Sequence, residues 1–183
     1  MKIRFLSSNP EKIQEVTSIL GPAGIEAIPI SHKIEEIQSL DVNSLLREKA
    51  IQAFKYLGRP VFVEHTGLYT DELNDFPAGL TQIFWDTLEA DKVAKLFVSL
   101  GNQRVTAKTH IGYVDSKKIH TFEGSISGSF SDTPRGSRNF QWDCVFIPDG
   151  KTQTFAEMGA IEKNKISMRK LALDKLIREV KVK

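Results

Sequence analysis

The chain has 183 residues, 40% of them hydrophobic and 26% charged, which suits one soluble globular domain with its own core. A net charge of only +2, with acidic residues interspersed among the basic ones, removes the bulk electrostatic case for nucleic-acid or membrane-surface binding. The single cysteine, Cys144, excludes an internal disulfide framework and a multi-cysteine zinc site, and a reducing cytoplasm is the expected setting.

In chain order, residues 3–6 read as a buried first strand, without a sustained hydrophobic signal region. No apolar run approaches the length that crosses a bilayer. A helix is expected over residues 10–20: Asn9 suits the N-cap, Pro10 the first helical position, and Ile13, Val16, Ile19 and Leu20 form an apolar stripe. Gly21-Pro22 stops it. Residues 25–30 read as a second strand and 42–57 as a helix with Leu45, Leu46, Ala50, Ala53 and Phe54 on one face. After Gly58-Arg59-Pro60 comes an apolar strand, residues 61–63, which halts at Glu64-His65-Thr66-Gly67. A buried strand ends in this way when it delivers polar groups to a pocket.

Further on, Asp75-Phe76-Pro77-Ala78-Gly79 is expected to be a loop, and residues 91–100 a short amphipathic helix. Residues 104–114 and 117–130 alternate like long antiparallel strands, joined near Asp115-Ser116. Phe146-Ile147-Pro148-Asp149-Gly150 is read as a loop, and a last helix over 167–180 is expected to bury Leu171, Leu173, Leu176 and Ile177. There is no internal repeat, low-complexity tract or linker, so residues 1–183 are expected to form a single domain. The fold class is α/β: a long twisted mixed β-sheet flanked by helices, with two lobes around a central cleft.

Taken by themselves, the polar segments are of modest specificity. Ser7-Ser8-Asn9, with Lys12 one turn into the helix, could present donors to a phosphate, or could simply be a capped surface helix. Lys49 could be a solvated lysine paired with a nearby acid, Glu36 plain surface charge, and Phe140 and Trp142 ordinary core aromatics.

Together and in this order, these segments resemble the inosine triphosphate pyrophosphatase family, the Ham1-like enzymes. The family pattern Thr/Ser-x-Asn-x-x-Lys falls on Ser7, Asn9 and Lys12, with Ser8 between them. Phe140-Gln141-Trp142-Asp143 resembles Phe-Gly-Trp/Tyr-Asp, with Gln141 in place of glycine. Thr154-Phe155-Ala156-Glu157-Met158 and Lys163-Asn164-Lys165-Ile166-Ser167-Met168-Arg169 follow, Met168 replacing a histidine. Thr133-Pro134-Arg135-Gly136 matches as a loop-shaping segment.

The resemblance implies that Ser7, Ser8, Asn9, Lys12 and Lys49 hold a triphosphate, and that Thr66, Phe140, Trp142, Asp143, Lys163 and Arg169 complete the substrate site around a purine. Glu36 corresponds to a Mg²⁺ ligand. Glu64 and His65 occupy the catalytic position, where relatives read Asp-Asp-Ser-Gly or Glu-Asp-Thr. There the second acid helps bind the metal and activates the water that attacks the α-phosphorus. His65 replaces that acid, and imidazole is a poor Mg²⁺ ligand.

The implied ligands are dITP and ITP, with XTP a further candidate. The implied ancestral reaction is hydrolysis to the monophosphate and pyrophosphate, cleansing the nucleotide pool. With His65 in place, strongly reduced hydrolysis is the leading expectation. The chain is then a pseudoenzyme-like nucleotide sensor or regulatory subunit, a homodimer reporting to an effector protein. Two alternatives stay open: an active pyrophosphatase using His65 with Glu64 and Glu36, and an interaction module with a non-functional pocket.

Overall fold

The computed structural model describes residues 1–115 and 117–181. β1 (Lys2–Leu6) leads into α1 (Pro10–Leu20), and β2 (Glu26–Ile30) lies parallel beside β1. α2 (Val42–Leu57), β3 (Val61–Thr70) and α3 (Thr81–Leu100) precede the long antiparallel pair β4 (Arg104–Val114) and β5 (Ile119–Phe130). The short β6 (Phe146–Pro148), α4 (Phe155–Ile166) and α5 (Met168–Lys181) complete the order. The strands form a six-stranded mixed sheet, β2-β1-β3-β4-β5-β6, parallel on the β1 side and antiparallel beyond β3. Among the described residues no helix is long and apolar enough to cross a membrane.

Local chemistry explains the helix starts. The Asn9 side chain accepts the Lys12 N–H at 2.9 Å, and Asp41 accepts that of Asn43 at 3.0 Å. Gly58 closes α2 in the left-handed conformation that suits glycine. Side chains of α1, α5, β1 and β3 form one apolar cluster around Phe5, Phe62, Ile111 and Leu173, with Phe5 stacked on Phe62. Across the sheet, α2 packs Leu46, Ala50 and Ala53 against Val61 and Val63. A third cluster gathers α3, Trp142, Phe146 and Phe155 against the far ends of β3 and β4.

β3 is longer than its side chains suggest. It runs unbroken through Glu64, His65 and Thr66 to Thr70, because β4 pairs with it from Val61↔Val114 to Thr70↔Val105. Backbone pairing continues the strand regardless of side-chain polarity. On its other edge, β1 ends at Leu6 and meets β3 at Phe5↔Phe62. Beyond that point side chains serve the edge: the Lys49 ammonium donates to the Glu64 carbonyl oxygen at 3.0 Å, and the Leu68 N–H donates to Thr81 Oγ1 at 2.8 Å. A cleft opens where β1 stops and β3 continues.

Other segments also differ from expectation. α3 starts at Thr81 instead of residue 91 and is broken at Glu89, whose φ is 59°. α4 was not foreseen, although its capping box was present in the sequence: Thr154 N–H donates to Glu157 at 2.8 Å, and Glu157 N–H to Thr154 Oγ1 at 3.2 Å. Residues 146–148 pair with β5 as an edge strand, where a proline is tolerated. Leu173 and Leu176 of α5 are buried, but Leu171 is 41% exposed, since two helical positions turn a side chain about 200° away. In the β4–β5 turn, Asp115 accepts the backbone N–H groups of Lys117 and Lys118, each at 3.0 Å; Ser116 lies outside the described residues.

Candidate functional site

Along β3 one face reads Phe62, Glu64, Thr66, Leu68. The strand therefore leaves one apolar cluster, crosses a polar gap and enters another. α5 makes the same passage: Met168 belongs to one cluster, Ala172 to the other, and Arg169 stands between them. Arg169 is only 1% exposed. Its Nε donates to Glu64 Oε2 at 2.7 Å and its Nη2 to Oε1 at 3.3 Å, while Nη1 donates to Glu15 of α1.

Lys163 of α4 extends the network, donating to Asp143 and to Glu15 at 2.5 Å each. Lys12 reaches Glu64 Oε1 at 2.7 Å. Such a network demands pairing, because an isolated buried charge would cost several kcal/mol. Burial alone would raise the Glu64 carboxyl, but Arg169 and Lys12 outweigh it and hold the group well below the usual carboxylate range. Asp143 shows the opposite outcome: burial, reinforced by the nearby Glu15 charge, pushes it up to about 6 against the pull of Lys163 and Arg169.

His65 points from the same strand toward Glu36. Its Nδ1 lies 3.7 Å from Glu36 Oε2, beyond hydrogen-bond length. Lys49 donates to Glu36 Oε1 at 2.5 Å. Burial would raise Glu36, yet His65 and Lys49 bring it down to about 2, whereas burial pushes the Lys49 ammonium down despite Glu36. Thr66 Oγ1 pairs with Thr109 Oγ1 at 2.8 Å, and Arg169 Nη2 donates to it at 3.4 Å.

These residues border three cavities, two of which share part of their lining. One, of about 240 Å³, is lined by Ser7, Ser8, Asn9, Lys12, Lys33 and Lys49. A second, of about 270 Å³, shares Lys12, Lys33, Glu36 and Lys49 and adds His65 and Thr66. A third, of about 240 Å³ between α1 and α4, is lined by Glu15, Phe140, Asp143, Lys163 and Asn164. The half-buried Phe140 ring carries Lys163 Nζ at 4.2 Å from its centroid. Gln141, with φ 44°, donates from its side-chain amide to that of Gln82 on α3 and so ties the two walls of the cleft together.

The expected site residues thus converge, with qualifications. Trp142 is a core residue, 3% exposed and edge-on to Phe146, and offers no free ring face. Arg169 is occupied by Glu64 and Glu15, so it positions the site from within the network. The start of α1 is largely self-capped: Asn9 takes the Lys12 and Ile13 N–H groups, and Pro10 has none. Glu15 was not anticipated, and neither were Gln82 and Thr81. For Glu15 the signal was its spacing, since it shares the i, i+4 line with Ile19 and so lies beside the buried stripe.

The donor set does not fit Mg²⁺ in this arrangement. That ion needs an octahedron of hard oxygens, but Glu64 is held by Arg169 and Lys12, and Glu36 by Lys49 with His65 beside it. Among the described residues no group of three or more His, Cys, Asp or Glu side chains is placed to hold a metal.

A mixed six-stranded sheet flanked by helices, with a charged cleft where β1 ends, places the chain in the α/β class. The Ham1 family model matches residues 3–179, and the chain belongs to that family. It is 35% identical over 176 residues to the dITP/XTP pyrophosphatase of Hyperthermus butylicus, covering 96% of this chain and 93% of that protein. It is 39% identical over 184 residues to the inosine triphosphate pyrophosphatase of Kluyveromyces lactis, covering 96% and 93%. Among solved structures, a HAM1 protein from Coxiella burnetii superposes with a TM-score of 0.83 at 25% identity, covering 100% of each chain.

Proposed function

We propose that this chain binds non-canonical purine nucleoside triphosphates, dITP and ITP foremost and XTP as a further ligand, and retains them with hydrolysis strongly impaired. In this reading residues 1–183 act as one domain of a cytoplasmic homodimer that reports the nucleotide to an effector protein. The carrying observation is the state of the acids around His65. The Glu64 and Glu36 carboxylates are both engaged by cations, and the residue between their approaches is an imidazole. Neither of these two carboxylates is left unpaired to draw a proton from water; the other carboxylate on the cavity wall, Glu35, is exposed.

The grip has its own support. Lys12, Lys49, Ser7 and Ser8 line the phosphate end, while Phe140 and Lys163 border the cavity suited to a base. Hypoxanthine and xanthine present a 6-oxo acceptor, which an ammonium donor meets well. Adenine presents an amino donor there and leaves a buried donor facing a donor.

A second reading, an active pyrophosphatase, is favoured by one feature: the His65 ring lies beside Glu36, a carboxylate–imidazole arrangement suited to general-base work. Its support also includes relatives named as pyrophosphatases. Incubation with stoichiometric dITP, followed by quantification of bound triphosphate, monophosphate and pyrophosphate, separates the two. Retention predicts intact protein-bound dITP, and His65→Asp should raise pyrophosphate release by about 100-fold. Conversion of that dITP to monophosphate and pyrophosphate by the wild type, abolished in His65→Ala, would sink the retention reading. Absence of both bound nucleotide and hydrolysis would leave only an interaction module.

A further inference from the structure

The His65 side chain, 9% exposed, holds a ring nitrogen that nothing else in the fold explains. Its Nε2 is buried with no hydrogen-bond partner among the described residues. Buried polar atoms are almost always paired, so an orphan on a residue that lines a cavity marks a place for a group supplied from outside. The cavity that His65 lines is also lined by Lys12, Lys33 and Lys49.

Both inner lysines have capacity to spare. An ammonium carries three N–H donors; Lys49 directs its ammonium at Glu36 and the Glu64 carbonyl, and Lys12 its own at Glu64. The Glu36 contact, at 3.7 Å, lies beyond hydrogen-bond length, and an imidazole Nε2 is able to donate to an anion. A dication held by Glu36 and Glu64 would have to displace ammonium groups from both and would meet an imidazole in place of a hard oxygen, while the remaining carboxylate on the wall, the exposed Glu35, is a single ligand. A phosphate oxygen would meet donors already in place.

Resting on the retention reading above, we propose that the cleft takes the triphosphate as a metal-free polyanion, with Lys12, Lys49 and His65 Nε2 standing in for a magnesium ion. The donors neutralise the phosphates without polarising a phosphorus–oxygen bond through a metal, which accords with holding the ligand intact.

Calorimetric titration tests this, using dITP and inorganic tripolyphosphate, each in excess Mg²⁺ and in excess EDTA. The expected result is dITP binding that differs by less than about threefold between the two buffers, where a lost charge-assisted contact would cost about tenfold or more. Binding of dITP that requires Mg²⁺ overturns the proposal while leaving nucleotide retention standing. If dITP fails in both buffers but tripolyphosphate binds in EDTA, the retention reading falls and the metal-free anion site stands. If neither ligand binds in EDTA, the proposal falls. His65→Asp should lose about tenfold in EDTA and recover it in Mg²⁺; indifference to Mg²⁺ would remove His65 from the site. Should that variant fail to fold by circular dichroism, His65→Asn is read instead, with the same loss expected in EDTA and unchanged affinity counting against the proposal.

Discussion

At the scale of single residues, the cleft is governed by the unequal sharing of three cations, Arg169, Lys163 and Lys12, among three acids, Glu64, Glu15 and Asp143. Arg169 serves Glu64 with two donors and Glu15 with a third. Lys163 is divided between Glu15 and Asp143. Glu64, served by Arg169 and Lys12, is held ionised, whereas Asp143 is pushed up to about 6 because its burial exceeds the help it receives. The two groups therefore respond to pH in opposite directions. Glu64, lowered on folding, contributes stability above the unfolded carboxylate range that is lost as pH falls. Asp143, raised on folding, contributes stability that is full below its unfolded value of 3.8 and is lost as pH rises through about 6. Asp143→Asn should accordingly change stability in a pH-dependent manner. Relative to the variant, the wild type should have a higher Tm at about pH 4.5 than at about pH 7.5. Paired thermal melts check this, and a difference between the proteins that is flat across that window would contradict the raised value.

Residue types were legible in the sequence, but their engagements were not. Asn9 could be read as a cap because a cap is a local matter, fixed within one turn. The partners of Arg169 could not, because Glu15 and Glu64 are brought to it from distant segments. Trp142 shows the same limit: its type suits stacking on a base or filling a core, and only packing against Phe146 decided for the core.

At the scale of elements, the site depends on how closely α5 rests on β5. A Cβ at Gly124 would collide with the Met168 carbonyl oxygen and lie 2.5 Å from the Ala172 nitrogen. Gly124 thus sets the approach of the helix that carries Arg169. Gly124→Ala should cost about 1–3 kcal/mol through overpacking, measured by urea denaturation, and should weaken dITP binding because Arg169 is displaced. Unchanged stability would mean that α5 is seated less tightly than its backbone contacts indicate. Gly67 plays a similar part on β3, where a Cβ would stand 2.6 Å from the Ala78 carbonyl oxygen. Boundaries of α1 and α2 were readable from caps and stops, since both signals sit in the helix itself. The length of β3 was not, because its continuation comes from pairing with β4, a partner many residues away.

At the scale of the molecule, apolar clusters lie on either side of a polar gap that β3 and α5 cross. A ligand in that gap would touch α1, α2, β3 and the segment around Phe140 at once. Binding to the folded state alone stabilises it by about 2.7 kcal/mol at a ligand concentration of 100 times Kd. For a chain of this size that corresponds to a rise in Tm of about 5–10 °C. The rise is expected with dITP or ITP and not with dATP; equal shifts with dATP would contradict selection at the 6-position of the purine.

The amino-acid sequence by itself determined the α/β class, the helix caps, the apolar stripes and the set of polar segments that meet in the cleft. Each of these rests on chemistry within a few residues, or on a periodicity that a single element carries. Tertiary structure alone decided which acids are neutralised, that Glu15 is the shared counter-charge, that β3 carries its polar residues through mid-strand, and that His65 keeps one ring nitrogen unpartnered among the described residues. Those outcomes depend on burial and on distances between groups far apart in the chain, and electrostatic pairing is set by distance and dielectric, not by sequence order.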